Sequence, residues 1–151
     1  MVKFFHVESS LSQDKIEEIE QSLDLRFPHS YKQHLMLFNG GKCTPNKFKF
    51  LEKGNPSDSY IDWFLSIYDG EYDNFVEYFN DYKIEEKRMP KSIFPIAHDP
   101  GGNLICLDSV DGKVYFWDHE SEIDYSIEDD SNFSNLHLIA NSFSEFIDNL
   151  Y

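Results

Sequence analysis

The sequence predicts an α+β fold: a mainly antiparallel sheet with helices packed around it, in a single domain spanning residues 1–151. Amphipathic helical patterns lie near the start, in the middle and at the end. The strand patterns between them are joined by short turns, which suit antiparallel neighbours better than the long crossovers of a doubly wound fold. The 151 residues are enough for one proper core. Their 17% aromatic content marks a chain that folds, because a disordered chain this acidic would be poor in aromatics.

The first element is a helix in SLSQDKIEEIEQSLDLRFP. Ser10 or Ser12 can cap it, and Ile16, Ile19 and Leu23 recur at helical spacing. Pro28 suits the start of a second helix, where its missing N–H would be unpaired anyway. Tyr31, Leu35 and Phe38 form the apolar stripe of that helix, and Asn39-Gly40-Gly41 is expected to end it. NKFKFLEK alternates Phe48 and Phe50 with lysines, as a half-exposed strand does. GNPSDS at 54–59 reads as a loop. In YIDWFLSIYDG, Ile61, Trp63, Leu65 and Ile67 recur at period two, the clearest strand pattern in the chain.

The period then changes to helical, with Tyr72, Phe75, Val76, Phe79 and Tyr82 on one face. Pro90 and Pro95 bracket an irregular passage. NLICLD and KVYFWDHE are strands, with Asp111-Gly112 between them as a tight hairpin turn. SEIDYSIEDDSN is a polar loop and LHLI a short strand. The last helix has Ser142 and Glu145 in capping-box register and buries Phe143, Phe146, Ile147 and Leu150. No internal repeat interrupts this order.

The formal charge is −15, from 13 Lys+Arg against 28 Asp+Glu. Such a chain repels nucleic acid and anionic membranes at long range and attracts basic proteins, although simple solubility also explains acidity. The start shows neither a long apolar run nor a small-residue cleavage site, and no stretch has the length of a membrane span. Cys43 and Cys106 form no CxxC pair. Together these features predict a cytoplasmic protein.

The stretch HDPGGNLICLD, residues 98–108, poses the question of chemistry. A phosphate loop needs Gly-x-x-x-x-Gly-Lys-Ser/Thr running from strand into helix. Here no Lys-Ser/Thr follows the glycines and a strand comes next. A turn is the better reading, set by Pro100 and the freedom of the glycines. His98-Asp99 and Asp118-His119 suggest acid–base pairs, and a small hydrolase using His98, Asp99 or His119 is one possible activity. Neighbours on a strand point to opposite faces, however, so surface or capping roles are favoured.

The six histidines form no HExxH. His29 and His34 do not stack on one helix face, and the acids of DHESEIDYSIEDD lack EF-hand order, so no metal or cofactor is expected. Cys106, between Ile105 and Leu107, reads as a buried inert thiol. GxSxG is absent, and no catalytic residue is assigned.

Charge placement is the remaining signal. Seven acids and no Lys or Arg lie between Asp118 and Asp130. With Trp117 and Tyr125 among them, Glu120, Glu122, Asp124, Glu128, Asp129 and Asp130 make a candidate protein-binding surface. Rings supply buried area and acids steer a basic partner. Asp69, Glu71 and Asp73 form a second candidate cluster.

Three stretches, in order, resemble the SUKH superfamily, whose members include bacterial immunity proteins and a yeast cell-wall assembly regulator. They are IEEIEQSLDLRFPHSYKQHLMLFNGG, FPIAHDPGGNLICLDSVDGKVYFWDHE and IANSFSEFIDNL, about half of the chain. The resemblance implies an α+β fold without enzymatic activity. It also implies a family in which many bacterial members neutralise a cognate polymorphic toxin, often a nuclease, by direct binding, and an immunity protein that binds a basic toxin is the function expected here. A regulatory or scaffold module binding another cellular protein is the alternative. Pro28, Tyr31, Asn39, Gly40, Gly41, Gly101, Gly102, Asp108 and Trp117 match the family pattern and look like fold-setting positions. Residues 42–90 match nothing diagnostic.

Overall fold

The computed structural model describes residues 1–68, 70 and 73–151. The expectations placed on Asp69, Glu71 and Tyr72 lie outside the described residues. Nine strands form three antiparallel sheets among these residues, and four α-helices pack on them. The expected α+β architecture is present.

Strand β1 (Lys3–Phe5) pairs with β2 (Lys42–Thr44). Helix α1 (Gln13–Leu23) starts on Ser12, whose hydroxyl accepts from the Lys15 N–H. Helix α2 (His29–Leu35) follows Pro28 and buries Tyr31 and Leu35. The two helices are tied through Glu20. Its carboxylate accepts from the Phe27 N–H at 2.7 Å and pairs with Lys32 at 3.0 Å.

Asn39-Gly40-Gly41 does not end α2, which stops at Leu35. These three residues form a junction instead. Fully buried Asn39 donates its side-chain amide to the carbonyls of Ser9 (3.0 Å) and Ile67 (2.9 Å) and accepts from the Ile67 N–H (2.8 Å). Gly40 and Gly41 have φ of +71° and +89°. A Cβ on Gly40 would stand 2.7 Å from the Ser66 Cβ, and one on Gly41 2.6 Å from the Phe5 carbonyl oxygen. Positive φ and close backbone approach both require glycine here.

Strand β3 (Lys47–Glu52) buries Phe48 and Phe50 on alternate positions, as its sequence alternation predicts. The expected loop at 54–59 is mostly a strand, β4 (Asn55–Tyr60), paired with β3 from Glu52↔Asn55 to Lys47↔Tyr60. The two-residue turn Lys53-Gly54, with φ of +51° and +81°, matches the strand twist and permits a tight hairpin.

The strand expected from Ile61 to Ile67 shrinks to β5 (Trp63–Phe64). Phe64, Leu65, Ser66 and Ile67 are buried consecutively, so the period-two pattern does not mark two faces. Helix α3 (Phe75–Phe79) is capped by Asn74 and continues as a π-helical turn, Asn80–Glu85. The passage around Pro95 is not irregular. It is β6 (Ile93–His98), with a bulge between Pro95 and Ala97 that leaves Ile96 without an opposite residue on the next strand.

Strands β7 (Leu104–Asp108), β8 (Val114–Trp117) and β9 (Leu136–Ala140) complete the five-stranded sheet β5-β6-β7-β8-β9. The β7–β8 connection is longer than a two-residue turn: residues 109–112 bridge Asp108 and Lys113, and Gly112 supplies the positive φ. Helix α4 (Phe143–Asp148) is capped by Ser142, and the Glu145 carboxylate reaches the Asn141 N–H.

The sheet is buried on both faces. On one, Phe94, Ile105 and Phe116 pack with Tyr31 and Phe146 from the helices, Phe27 from the α1–α2 connection and Phe50 from the β3–β4 hairpin. On the other, Leu104, Cys106 and Trp117 pack with Met89, Tyr82 and Phe133. Cys43 and Cys106 are free and buried, and burial pushes both thiols well up from their ordinary range.

Candidate functional site

The acidic loop begins where β8 ends. Asp118 caps a short 3-10 turn, His119–Ser121, by accepting from the Glu120 N–H at 2.9 Å. The loop then crosses residues 87–91. The Tyr125 N–H donates to the Lys87 carbonyl at 2.9 Å, and the Lys91 N–H to Asp130 at 3.1 Å. Two Asp-x-Ser turns shape its outer part. Asp124 accepts from the N–H and hydroxyl of Ser126, and Asp129 from those of Ser131. These bonds, hydroxyl first, pull both exposed carboxyls below the ordinary value. Tyr125 is half-buried with its hydroxyl donated to the Asn132 carbonyl. Burial, then the charges of Asp130 and Glu128, pushes that hydroxyl up to about 12.

The loop presents Glu120, Asp124, Glu128, Asp129 and Asp130 to solvent. It also carries Ile127, which is 87% exposed between Ser126 and Glu128. Sequence reasoning passed over Ile127. The available signal was the pair of isoleucines, Ile123 and Ile127, inside a polar run.

Trp117 requires a correction. It is fully buried on the second face of the sheet, so it is not a surface ring. Its indole N–H donates to the Arg88 carbonyl at 3.2 Å. The Arg88 guanidinium lies 5.0 Å from the Trp117 ring and 4.6 Å from Tyr82. Arg88 also pairs with Glu86 and with Glu122, so Glu122 is spent within the molecule.

Asp73 is likewise turned inward. Its carboxylate meets His98 Nε2 at 2.7 Å, and the imidazole stacks on Tyr78. Asp73 therefore stands apart from the acidic loop, and its charge is engaged by His98 when that ring is protonated.

Beneath the loop runs a groove of about 280 Å³, lined by Leu25, Phe79, Ile84, Met89 and Tyr125 among others. Lys83, Lys87 and Lys91 border it. Lys83 donates to the carbonyls of Pro90, Lys91 and Ile93 and so braces the segment on which the loop rests. Together with Arg88, these cations make the local field weaker than seven acids alone would give.

The residues of the hydrolase reading are otherwise employed. The buried Asp99 carboxylate accepts from the N–H groups of Gly101 and Asn103, the Asn103 amide and the Ser59 hydroxyl, at 2.8–3.0 Å. It organises the turn that the glycines make possible, and Gly102 has φ of +91°. His119 Nδ1 lies 2.6 Å from the Asn103 side-chain oxygen, an amide and not a carboxylate. The His98–Asp73 pair could exchange a proton, but among the described residues it has no hydroxyl or thiol hydrogen-bond partner.

This architecture, with the glycine junction after α2 and the Gly-Gly turn before β7, can be set beside known proteins. A family model described as SMI1 / KNR4 family (SUKH-1) matches residues 10–149. The chain belongs to the SMI1/KNR4 family. This family is known for immunity proteins, and its domains are generally non-catalytic immunity or regulatory modules, which points to protein partners. A similar chain is the SPbeta prophage-derived uncharacterized protein YokK of Bacillus subtilis (strain 168). It is 30% identical over 155 aligned residues, covering 89% of this chain and 71% of the relative. No helix among the described residues is long and apolar enough to cross a membrane.

Proposed function

We propose that this SMI1/KNR4-family protein is a cytoplasmic immunity protein that neutralises a cognate toxin by direct contact. The partner class is a basic nuclease, whose cationic phosphate-binding surface the acidic loop competes for. The observation that carries this reading is the exposed loop of Glu120, Asp124, Glu128, Asp129 and Asp130 with Ile127 among them. The acids steer the encounter, and Ile127 with Tyr125 supplies apolar contact at its centre. Arg88, Trp117 and Glu122 act as the support that holds the loop in place. Two buried free thiols suit a reducing compartment.

The test uses the product of the neighbouring gene as the candidate toxin. Glu120→Gln, Asp124→Asn, Glu128→Gln and Asp129→Asn are combined, since Asn keeps the acceptor that each Asp-x-Ser turn needs. Association with the catalytically inactivated toxin is measured at two salt concentrations. The combined variant associates about ten-fold or more slowly at low salt, and its rate depends less on salt. An unchanged low-salt rate would show that the loop is not the steering surface.

A further inference from the structure

A second site stands at the end of the sheet where the β3–β4 hairpin crosses β8 and β9. Ligand-capable atoms of Glu52, Asp118 and His137 all lie within 4.8 Å of one another. The placement follows from strand alternation. Phe48, Phe50 and Glu52 share one side of β3, and Phe50 stacks on Phe116 with ring centroids 4.1 Å apart. Phe116 faces His137 across the β8–β9 ladder, and the Asp118 N–H bonds to the Asn135 carbonyl one step further along. Opposed residues of an antiparallel pair project to the same face, which brings His137 toward Phe116 and Glu52, and the backbone bond to Asp118 holds Asn135 next to the trio.

Asn135 is the independent observation. It is fully buried, and neither its amide nitrogen nor its amide oxygen has a hydrogen-bond partner among the described residues. A buried amide left unpaired on both atoms costs several kcal/mol, so native structures rarely keep one without an unseen water or ion. His137 is 8% exposed, and none of the hydrogen bonds of the described residues engages its ring nitrogens. An imidazole and two carboxylates thus converge on one place, and the residue bonded to Asp118 through its backbone carries an orphan amide.

We propose that Glu52, Asp118 and His137 bind a divalent transition-metal ion, and that Asn135 bonds to water held on it. The imidazole selects for Zn²⁺-like ions over Ca²⁺ or Mg²⁺, which prefer oxygen alone. Zinc takes nitrogen and oxygen ligands at about 2.0–2.2 Å, so tetrahedral ligand atoms stand roughly 3.4 Å apart. Glu52 is exposed and free to swing inward and close the remaining gap. Asp118 keeps its cap on Glu120 while an unused lone pair meets the ion. The ion then ties the β3–β4 hairpin to β8–β9. This site is separate from the toxin reading and survives or fails without it.

Titration of the metal-stripped full-length protein with Zn²⁺ by calorimetry tests the site, with Mg²⁺ as control and thermal unfolding as a second readout. One Zn²⁺ binds per chain, raises the melting temperature and is removed by a chelator, while Mg²⁺ gives no such effect. Glu52→Gln, on an exposed side chain that leaves folding intact, weakens binding about ten-fold or more, and so does His137→Asn. Absence of saturable Zn²⁺ binding, or binding that either folded variant leaves unchanged, overturns the proposal.

Discussion

Asn39 ties Ser9 and Ile67 together with one amide. From the sequence, Asn39-Gly40-Gly41 looks like a helix end, because Asn and Gly tolerate the backbone that ends helices. The real reason for the asparagine lies 28 and 30 positions away in the chain, where no local pattern reaches. Trp117 shows the same limit. Its ring is held by Arg88, which no spacing rule links to it. Ser12 and Ser142 were legible as caps because a cap acts within one turn.

His34 is a residue with a measurable consequence. Its ring packs among Phe4, Phe38, Phe64 and Phe143, with centroids 4.8–5.8 Å away. Burial lowers its pKa from 6.5 to about 4, so the unfolded chain takes up its proton first as pH falls. The associated stability is full above about pH 6.5 and is lost as pH falls toward 4. Its ceiling is about 3 kcal/mol. Urea midpoints measured between pH 7 and pH 5 fall for the wild type, and His34→Phe shallows that slope. Parallel slopes would place the acid sensitivity elsewhere.

At the scale of elements, period and burial sometimes part company. Ile61, Trp63, Leu65 and Ile67 alternate as a strand does, yet Phe64 and Ser66 between them are buried too. The segment threads between β6 and the glycine junction, so neither side of it meets water. Conversely β4 was hidden because NPSDSY has little apolar content, its partner strand supplying the buried phenylalanines. The acidic loop was legible as a polar loop from composition, but its Asp-x-Ser turns and its anchorage on residues 87–91 depend on contacts that composition does not show.

The β3–β4 turn has room for improvement. Lys53 sits at φ +51°, which strains a long side chain more than an asparagine. Lys53→Asn is expected to stabilise by about 0.5–1 kcal/mol and to raise the melting temperature by about 2–3 °C. A lower melting temperature would mean that the Lys53 side chain contributes more than its backbone strain costs.

For the whole molecule, a charge of −15 acts on stability as well as on partners. Like charges crowd together on folding, and the few internal pairs, such as Glu20 with Lys32 and Arg88 with Glu122, offset little of that. Added salt screens the repulsion. Raising NaCl from about 20 mM to about 300 mM should lift the melting temperature by about 2–4 °C, readable by calorimetry. A fall would show that the attractive pairs dominate instead.

The two cysteines give this molecule a pair of internal clocks. Cys106 lies at the centre of the large sheet, and Cys43 lies in a three-residue strand that among the described residues pairs with one as short. A thiol reagent reaches each sulfur only when the structure around it opens. Labelling at Cys43 therefore reports local opening of the β1–β2 pair, and labelling at Cys106 reports opening of the central sheet. Counting the two adducts over time would resolve a partial opening from a complete one without introducing a single foreign probe.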